Sequence, residues 1–355
     1  MAVNVGGLVE DTDFNNAVNR VNAVLGNGDG QSGYGQIVPS AEDYRISADD
    51  ELIDHTHWNA LIADINRCAN HSQGADEIAV TLDTGDIVGA NASGISASNL
   101  DATSSGINDI LSGLSSIESS ATTIAAGQFD LTTGRQFETS TRFSPWGGDG
   151  DVDDSINCEI DVIFKGGYPT TNAAKNRISA TGADHRRHFF NAGGEIHISF
   201  TGTDFTDKDS NWLTMFTTLG TVKFRKNDTT VTGTGLARDG VTDLDGGGID
   251  SAVGNFQVNT GDTYIFTKSG SLAYSNNKIE IYVTLISEPN EGWETLRFKI
   301  YFHDYAEGNP NFDERVLVSG GNQIAGIDLK RANDDDDGVN IPIPDAAVNV
   351  DFENT

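Results

Sequence analysis

The strongest constraint in this chain is strict alternation of apolar and polar residues in its second half. Ile279, Ile281, Val283 and Leu285 alternate with Lys278, Glu280, Tyr282 and Thr284, and Leu296, Phe298, Ile300 and Phe302 alternate with Arg297, Lys299 and Tyr301. Shorter runs repeat the pattern: Ile196, Ile198, Phe200; Val222, Phe224; and Cys158, Ile160, Val162, Phe164. A period of two sends one set of side chains to a core and the other to water, so each run predicts a strand with one buried face. Turn clusters at Asp245–Gly248 and Ser275–Asn277 separate the runs. One helix is expected near 209–219, from Trp212, Leu213, Met215, Phe216 and Leu219, with Gly220 as its stop. An antiparallel sandwich with one covering helix satisfies these signals over 151–330.

The first 75 residues read as a small helical module. Phe14, Val18, Val21 and Leu25 have helical spacing, with Asp11 and Thr12 as caps and Gly26 as the stop. A second helix is expected from Thr56, with the stripe Trp58, Leu61, Ile62 and Ile65, ending at Gly74. Residues 76–150 are rich in Ser, Gly, Ala and Thr and read as a connector or stalk. Within it Leu100, Thr103, Ile107, Ile110, Leu114, Ile117, Ala121 and Ile124 follow spacings of three and four. That heptad register is an oligomerisation seam whose Leu/Ile pattern favours three or four strands. Gly94, Gly106 and Gly113 oppose it at about 1 kcal/mol each in a helix, and a flexible linker is the alternative. Residues 331–355, with Asp334–Asp337, Pro342 and Pro344, read as an acidic, solvated C-terminal tail. The expected class is therefore α+β and multi-modular: helical module, connector, β-sandwich, tail.

Composition excludes some functions. The chain carries 22 Lys+Arg against 53 Asp+Glu, a formal net charge of -31. That field repels nucleic acid and anionic lipid. No apolar run approaches the ~20 residues a membrane span needs, and the N-terminus lacks the pattern of a signal peptide. Cys68 and Cys158 are too few and too far apart for a disulfide framework, so both are expected to be reduced.

Candidate chemistry is sparse. His55, His57 and His71 lack zinc-site spacing, and no Cys pair accompanies them. His185, His188 and His197 could converge, although a strand opening with basic residues beside Gly193-Gly194 explains them equally. The run Asp149–Asp154 begins like a calcium loop, but Asp154 and Ile160 occupy the positions that require Gly and Glu. No nucleophile elbow, P-loop or His-Glu-x-x-His occurs. The expectation is no catalytic residue, no cofactor and no metal, hence a non-enzyme.

Two groups of segments carry a resemblance. The first is Gly33-Tyr-Gly-Gln36 with His57-Trp-Asn-Ala-Leu-Ile-Ala-Asp-Ile-Asn66 and His71-Ser-Gln-Gly74. The second is His185-Arg-Arg-His-Phe-Phe-Asn-Ala-Gly-Gly-Glu-Ile196 with Asn211-Trp-Leu-Thr-Met215 and Leu219-Gly-Thr-Val-Lys-Phe224. Both resemble virion structural proteins of tailed bacteriophages, including contractile-tailed phages of marine cyanobacteria, which are described as tail-fibre-like. The resemblance covers roughly a fifth of the chain and brings no catalytic residue. It implies a virion protein, made in the host bacterial cytoplasm and assembled as a homo-oligomer, a trimer in the simplest case. Its implied partners are further copies and other proteins of the tail, baseplate or neck, with no nucleic acid and no membrane insertion. By analogy the helical module docks and the β module faces outward, where Trp146, Trp293 or Tyr305 would meet a host surface glycan. A neck, collar or head-attached fibre is the alternative location. A polysaccharide depolymerase or a carbohydrate-binding protein is the alternative class, and no β-helical repeat period supports the depolymerase.

Overall fold

A computed structural model of the chain describes residues 11–26, 32–36, 53–78, 82, 107–132, 136–138, 154–166, 181–203, 210–233, 248–249, 252–269, 278–304, 322–332 and 339–354. The chain forms two compact units. The first comprises Met1–Asp130, Gly166–Gly194 and Arg331–Pro342; the second comprises Leu131–Lys165, Glu195–Lys330 and Ile343–Thr355. The units therefore do not follow the contiguous modules expected from sequence. The 166–194 stretch leaves the β-rich region and joins the helical unit.

In the first unit, α1 (Asp11–Val24) buries Phe14, Ala17, Val18, Val21 and Val24 along one face. α2 (His55–Gln73) starts at a capping box, with the Asp54 carboxylate on the amides of Thr56 and His57 and the His57 ring on the Asp54 amide. Gly74, in the left-handed region, ends it by donating to Ala69 and Asn70 carbonyls. Phe14 meets Trp58 edge to face at 5.0 Å. α3 (Ile107–Ser120) packs on both: Arg20 forms a fork with Glu118 at 2.7 and 2.8 Å, and the Ser72 and Ser120 hydroxyls are 2.9 Å apart.

This packing changes the reading of the heptad seam. Ile110, Leu114 and Ile117 are fully buried and Ile124 nearly so, within a single chain. Gly113 lets α3 approach closely, since a β-carbon there would lie 3.1 to 3.5 Å from Glu77, Ile78 and Ile65. Ala121 is half-buried beyond the helix end, only the backbone of Ile107 is described, and Leu100 and Thr103 lie outside the described residues. The seam's buried aliphatics are thus covered by the chain's own elements.

Ile78 and Leu82 lie along α2 and are held by side-chain amides. Asn66 donates to Ile78 O at 2.8 Å and accepts from Ile78 N at 2.9 Å. Two turns earlier, Asn59 does the same to Leu82, at 2.8 Å each. Each amide imitates a neighbouring strand by satisfying both main-chain groups of one residue. Replacing Asn66 with Ala should destabilise the first unit by about 1–3 kcal/mol, since two partly buried main-chain groups lose their partners. Asn66→Asp keeps the acceptor but not the donor, so urea unfolding should rank it between Asn66→Ala and the wild type.

Helix α4 (Gly182–Asn191), in the same unit, replaces the strand expected at the His-Arg-Arg-His block. Its capping box joins Thr181 to Asp184, and that local signal outweighs the β-like composition around it.

The second unit is two antiparallel sheets. One has the order β1 (Phe129–Thr132), β11 (Asn322–Ala332), β4 (Glu195–Thr203), β5 (Thr221–Phe224), β6 (Thr229–Val231), with β2 (Gln136–Glu138) also on β11. The other has the order β12 (Asp345–Asn354), β3 (Asp154–Phe164), β10 (Trp293–Asp304), β9 (Lys278–Glu288), β8 (Thr263–Ser269), β7 (Gly248–Ile249). Their inner faces meet through aromatic side chains. Phe302 of β10 is 5.6 Å from Phe200 of β4, and Phe298 of β10 is 5.5 Å from Phe224 of β5. Helix α5 (Ser210–Leu219) adds Phe216, 5.6 Å from Phe302. The expected α+β class with a β-sandwich is what the chain adopts, and the alternating runs supply its core: Ile279, Ile281, Val283, Leu296, Phe298 and Ile300 are all fully buried.

The expected solvated tail is corrected. Residues 345–354 form an edge strand paired with β3, with Asp345 opposite Ile163 and Val348 opposite Ile160. Upstream, Val339 and Ile341 are buried in the first unit. Ala346, Val348, Val350 and Phe352 recur at every second position, so the strand period is present but sits among acidic residues that make the stretch look solvated.

Candidate functional site

The described histidine candidates lie apart, on three separate elements. His57 caps its own helix, its Nδ1 2.7 Å from Asp54 Oδ1. His71 lies about 24 Å further along the helix from His55, at 1.5 Å per residue. His185 and His188 are on α4 in the first unit, and His197 is on β4 in the second. Among the described residues no group of three His, Cys, Asp or Glu side chains is placed to hold a metal. Asp154 and Ile160 lie on β3; the rest of the acidic run at 149–153, Asp334–Asp337, Trp146 and Tyr305 lie outside the described residues. Trp293 opens β10, with the Lys165 ammonium 4.7 Å from its ring centre.

The resembling segments of the first unit instead converge on a buried junction. Five pieces of chain meet there: residues 32–36, the end of α2, Ala121 just after α3, α4 with its following turn, and residues 340–342. The Tyr34 hydroxyl donates to Ala121 O at 2.6 Å, and its ring meets His71 edge-on at 5.1 Å. His71 Nε2 donates to Ala192 O at 2.9 Å, and His185 Nε2 donates to Pro342 O at 2.8 Å. Asn191 donates to Gly33 O at 2.9 Å, and Arg187 donates to Ser32 O. Gln36 repeats the amide device on Asn340, donating to its carbonyl and accepting from its amide at 3.2 Å each. The His188 ring lies against Gly35.

Burial dominates the electrostatics of the junction. Burial holds the Tyr34 phenol well above its ordinary value, and burial likewise pushes the Cys68 thiol far up, away from the thiolate. Burial also carries His188 down to about 3, with Arg187 acting in the same direction. These polar side chains end largely on main-chain carbonyls, which fixes the position of backbone whatever its side chains are.

The second unit presents a different surface, on the outer faces of its sheets. On the β9–β10 face a row of rings crosses three strands. Tyr264 of β8 is 5.4 Å from Tyr282, Tyr282 is 5.8 Å from Tyr301, and Tyr301 stacks on His303 at 5.8 Å. The row is half-buried and is bordered by ion pairs: Arg297 to Asp161 at 2.8 Å and Lys299 to Asp262 at 3.0 Å. Each sheet also carries a glutamate held by a histidine and a lysine. Glu195 meets His197 at 2.7 Å and Lys330 at 3.3 Å. Glu280 meets His303 at 3.1 Å and Lys278 at 2.8 Å. Burial alone would raise both carboxyls, but the hydrogen bonds and neighbouring cations outweigh it and hold each at about 2. Their stabilising contribution is complete above about 4.5, the ordinary value, and is lost as pH falls from there through about 2.

The outward direction of Tyr282, Lys299 and Tyr301 was legible from the strand period. The row they make was not, because it depends on cross-strand register: Tyr282 opposite both Tyr264 and Lys299, and Tyr301 opposite Glu280. The junction residues Tyr34, Gln36 and Asn191 carried no signal of chemistry in the sequence beyond the resemblance of their segments, and Asn340 carried none. Comparison with family models, curated proteins and solved structures finds no match to this chain.

Proposed function

We propose that this chain is a structural component of a tailed-phage virion, an oligomeric appendage of the tail, baseplate or neck, rather than an enzyme. The observation that carries this reading is the use made of the resembling segments. Tyr34, His71, His185 and Asn191 direct their polar atoms to backbone carbonyls of distant segments, which is the chemistry of a rigid assembly part. In this reading copies associate through surfaces other than Ile110, Leu114 and Ile117, which are covered within the chain. The aromatic row of the sandwich takes the place of Trp146, Trp293 and Tyr305 as the surface offered to a host glycan, since aromatic faces stack on sugar rings while flanking charged groups bind hydroxyls.

Mass spectrometry and cryo-electron microscopy of purified, washed virions test the assignment. The expected result is this chain in intact particles at fixed stoichiometry, with several copies around the tail or neck axis. Its absence from such particles would remove the assignment and favour a free carbohydrate-binding protein, and released sugar from host polysaccharide would favour a depolymerase. Within the leading reading, Tyr282→Ala should reduce binding of the purified protein to host cells at least tenfold while leaving its unfolding midpoint nearly unchanged.

A further inference from the structure

The ring row of β8, β9 and β10 has a spacing and a charge balance that narrow the ligand it accepts. Adjacent strands lie about 4.8 Å apart, so one ring per strand gives a step near that value. The steps are 5.4 Å from Tyr264 to Tyr282 and 5.8 Å from Tyr282 to Tyr301. Tyr264 and Tyr282 are level across the ladder, and Tyr301 lies two residues further along, opposite Glu280. A step of this size is close to the length of one pyranose in an extended chain, so neighbouring rings meet neighbouring sugars. The rings are also held in place. The Tyr282 hydroxyl donates to Glu280 Oε2 at 3.3 Å, and the same oxygen lies 3.1 Å from Nε2 of His303, on which Tyr301 stacks. A platform ordered before binding loses less entropy when its ligand arrives.

The cations beside the row are committed to carboxylates. Arg297 pairs with Asp161 at 2.8 Å and with Glu159 at 3.3 Å, Lys299 with Asp262 at 3.0 Å, and Lys278 with Glu280 at 2.8 Å. These three cations face four carboxylates. A carboxylate, sulfate or phosphate on a sugar would have to displace one of them, against the field of a chain with formal net charge -31. A sugar hydroxyl meets no such barrier, because a paired carboxylate keeps lone pairs that accept it.

Resting on the reading of this face as the glycan surface, we infer that its ligand is an uncharged, extended glycan that lays one sugar on each of Tyr264, Tyr282 and Tyr301. Affinity should then rise about three- to tenfold per sugar up to three sugars and level off beyond that. It should change less than about twofold between about 50 and 500 mM NaCl, since no ion pair forms with the ligand.

An array of linear oligosaccharides of one to six residues, in neutral, uronic-acid and sulfated series, tests this on the full chain, with the bound members titrated by calorimetry. The expected result is binding confined to the neutral series, with the length and salt profiles above. Tyr264→Ala should move the levelling point from three sugars to two, a change that a general loss of structure does not produce. If that variant does not fold, the length profile of the wild-type protein decides. Preference for an acidic series, an affinity that falls about tenfold or more over the salt range, or an affinity already complete with one sugar or still rising at six would each overturn the inference while leaving the glycan surface in place. Binding to no member of the array removes the glycan surface itself, and the inference with it.

Discussion

Phe302→Ala should lower the unfolding free energy of the sandwich by about 3–5 kcal/mol, the range for deleting a large buried aromatic side chain. The reasoning starts from position. Phe302 is fully buried near the end of β10, and it contacts two different layers at once. Phe200 on the facing sheet and Phe216 on α5 both meet it edge to face at 5.6 Å, and those two rings lie 6.3 Å from each other. Removing the ring takes away two of the three contacts and leaves a void that neither sheet nor helix can close alone. Phe302→Leu should lose roughly half as much or less, because most of the volume is retained. Tyr301→Ala, one residue away on the outer face, should cost under about 1.5 kcal/mol, since the ring is half-buried and no cavity forms. Urea unfolding followed in peptides of the second unit separates the three. A loss for Phe302→Ala no larger than for Tyr301→Ala would show that the cluster does not organise the core.

Gly35→Ala should be the most damaging small change in the first unit. Its backbone has φ +68°, in the left-handed region, where a β-carbon costs about 1–2 kcal/mol. That β-carbon would also run into the His188 ring, and overpacking a closed site adds about 1–3 kcal/mol. Together they predict a loss of about 2–5 kcal/mol. Gly127 supplies the control. It has φ +88°, and nothing lies within 4 Å of where its β-carbon would be. Gly127→Ala should therefore show the backbone cost alone. Equal losses at the two positions would mean that the ring yields without penalty.

How much of this was readable beforehand divides by the range of the signal. The period of two located β3, β4, β5, β9 and β10 and their buried faces because it depends only on local geometry. Helix limits at Gly74 and Gly220 were readable for the same reason, whereas the start expected at Thr56 lies one residue inside the helix, whose cap is Asp54. What failed depended on distant partners. The spacing from Ile110 to Ile117 marked an apolar helical face, but the helix ends at Ser120, before Ala121 and Ile124, and spacing cannot say whether the covering helix comes from the same chain or another. Here α1 and α2 cover it. The strand at 345–354 was masked by its acidic flanks, and pairing with β3 decided the matter. The histidine block was read as a strand because its capping residue, Thr181, precedes the block by four positions.

The amide device has a consequence for which changes the first unit can tolerate. Asn59 and Asn66 grip only the backbone of Leu82 and Ile78, and every residue type except proline offers the same two groups there. Substitution between the grips leaves them untouched, whereas a single inserted or deleted residue, on the helix between 59 and 66 or on the segment between 78 and 82, puts one grip out of phase with the other. The pair thus works as a ruler, indifferent to spelling and strict about length. Over generations the residue count between the grips should stay fixed.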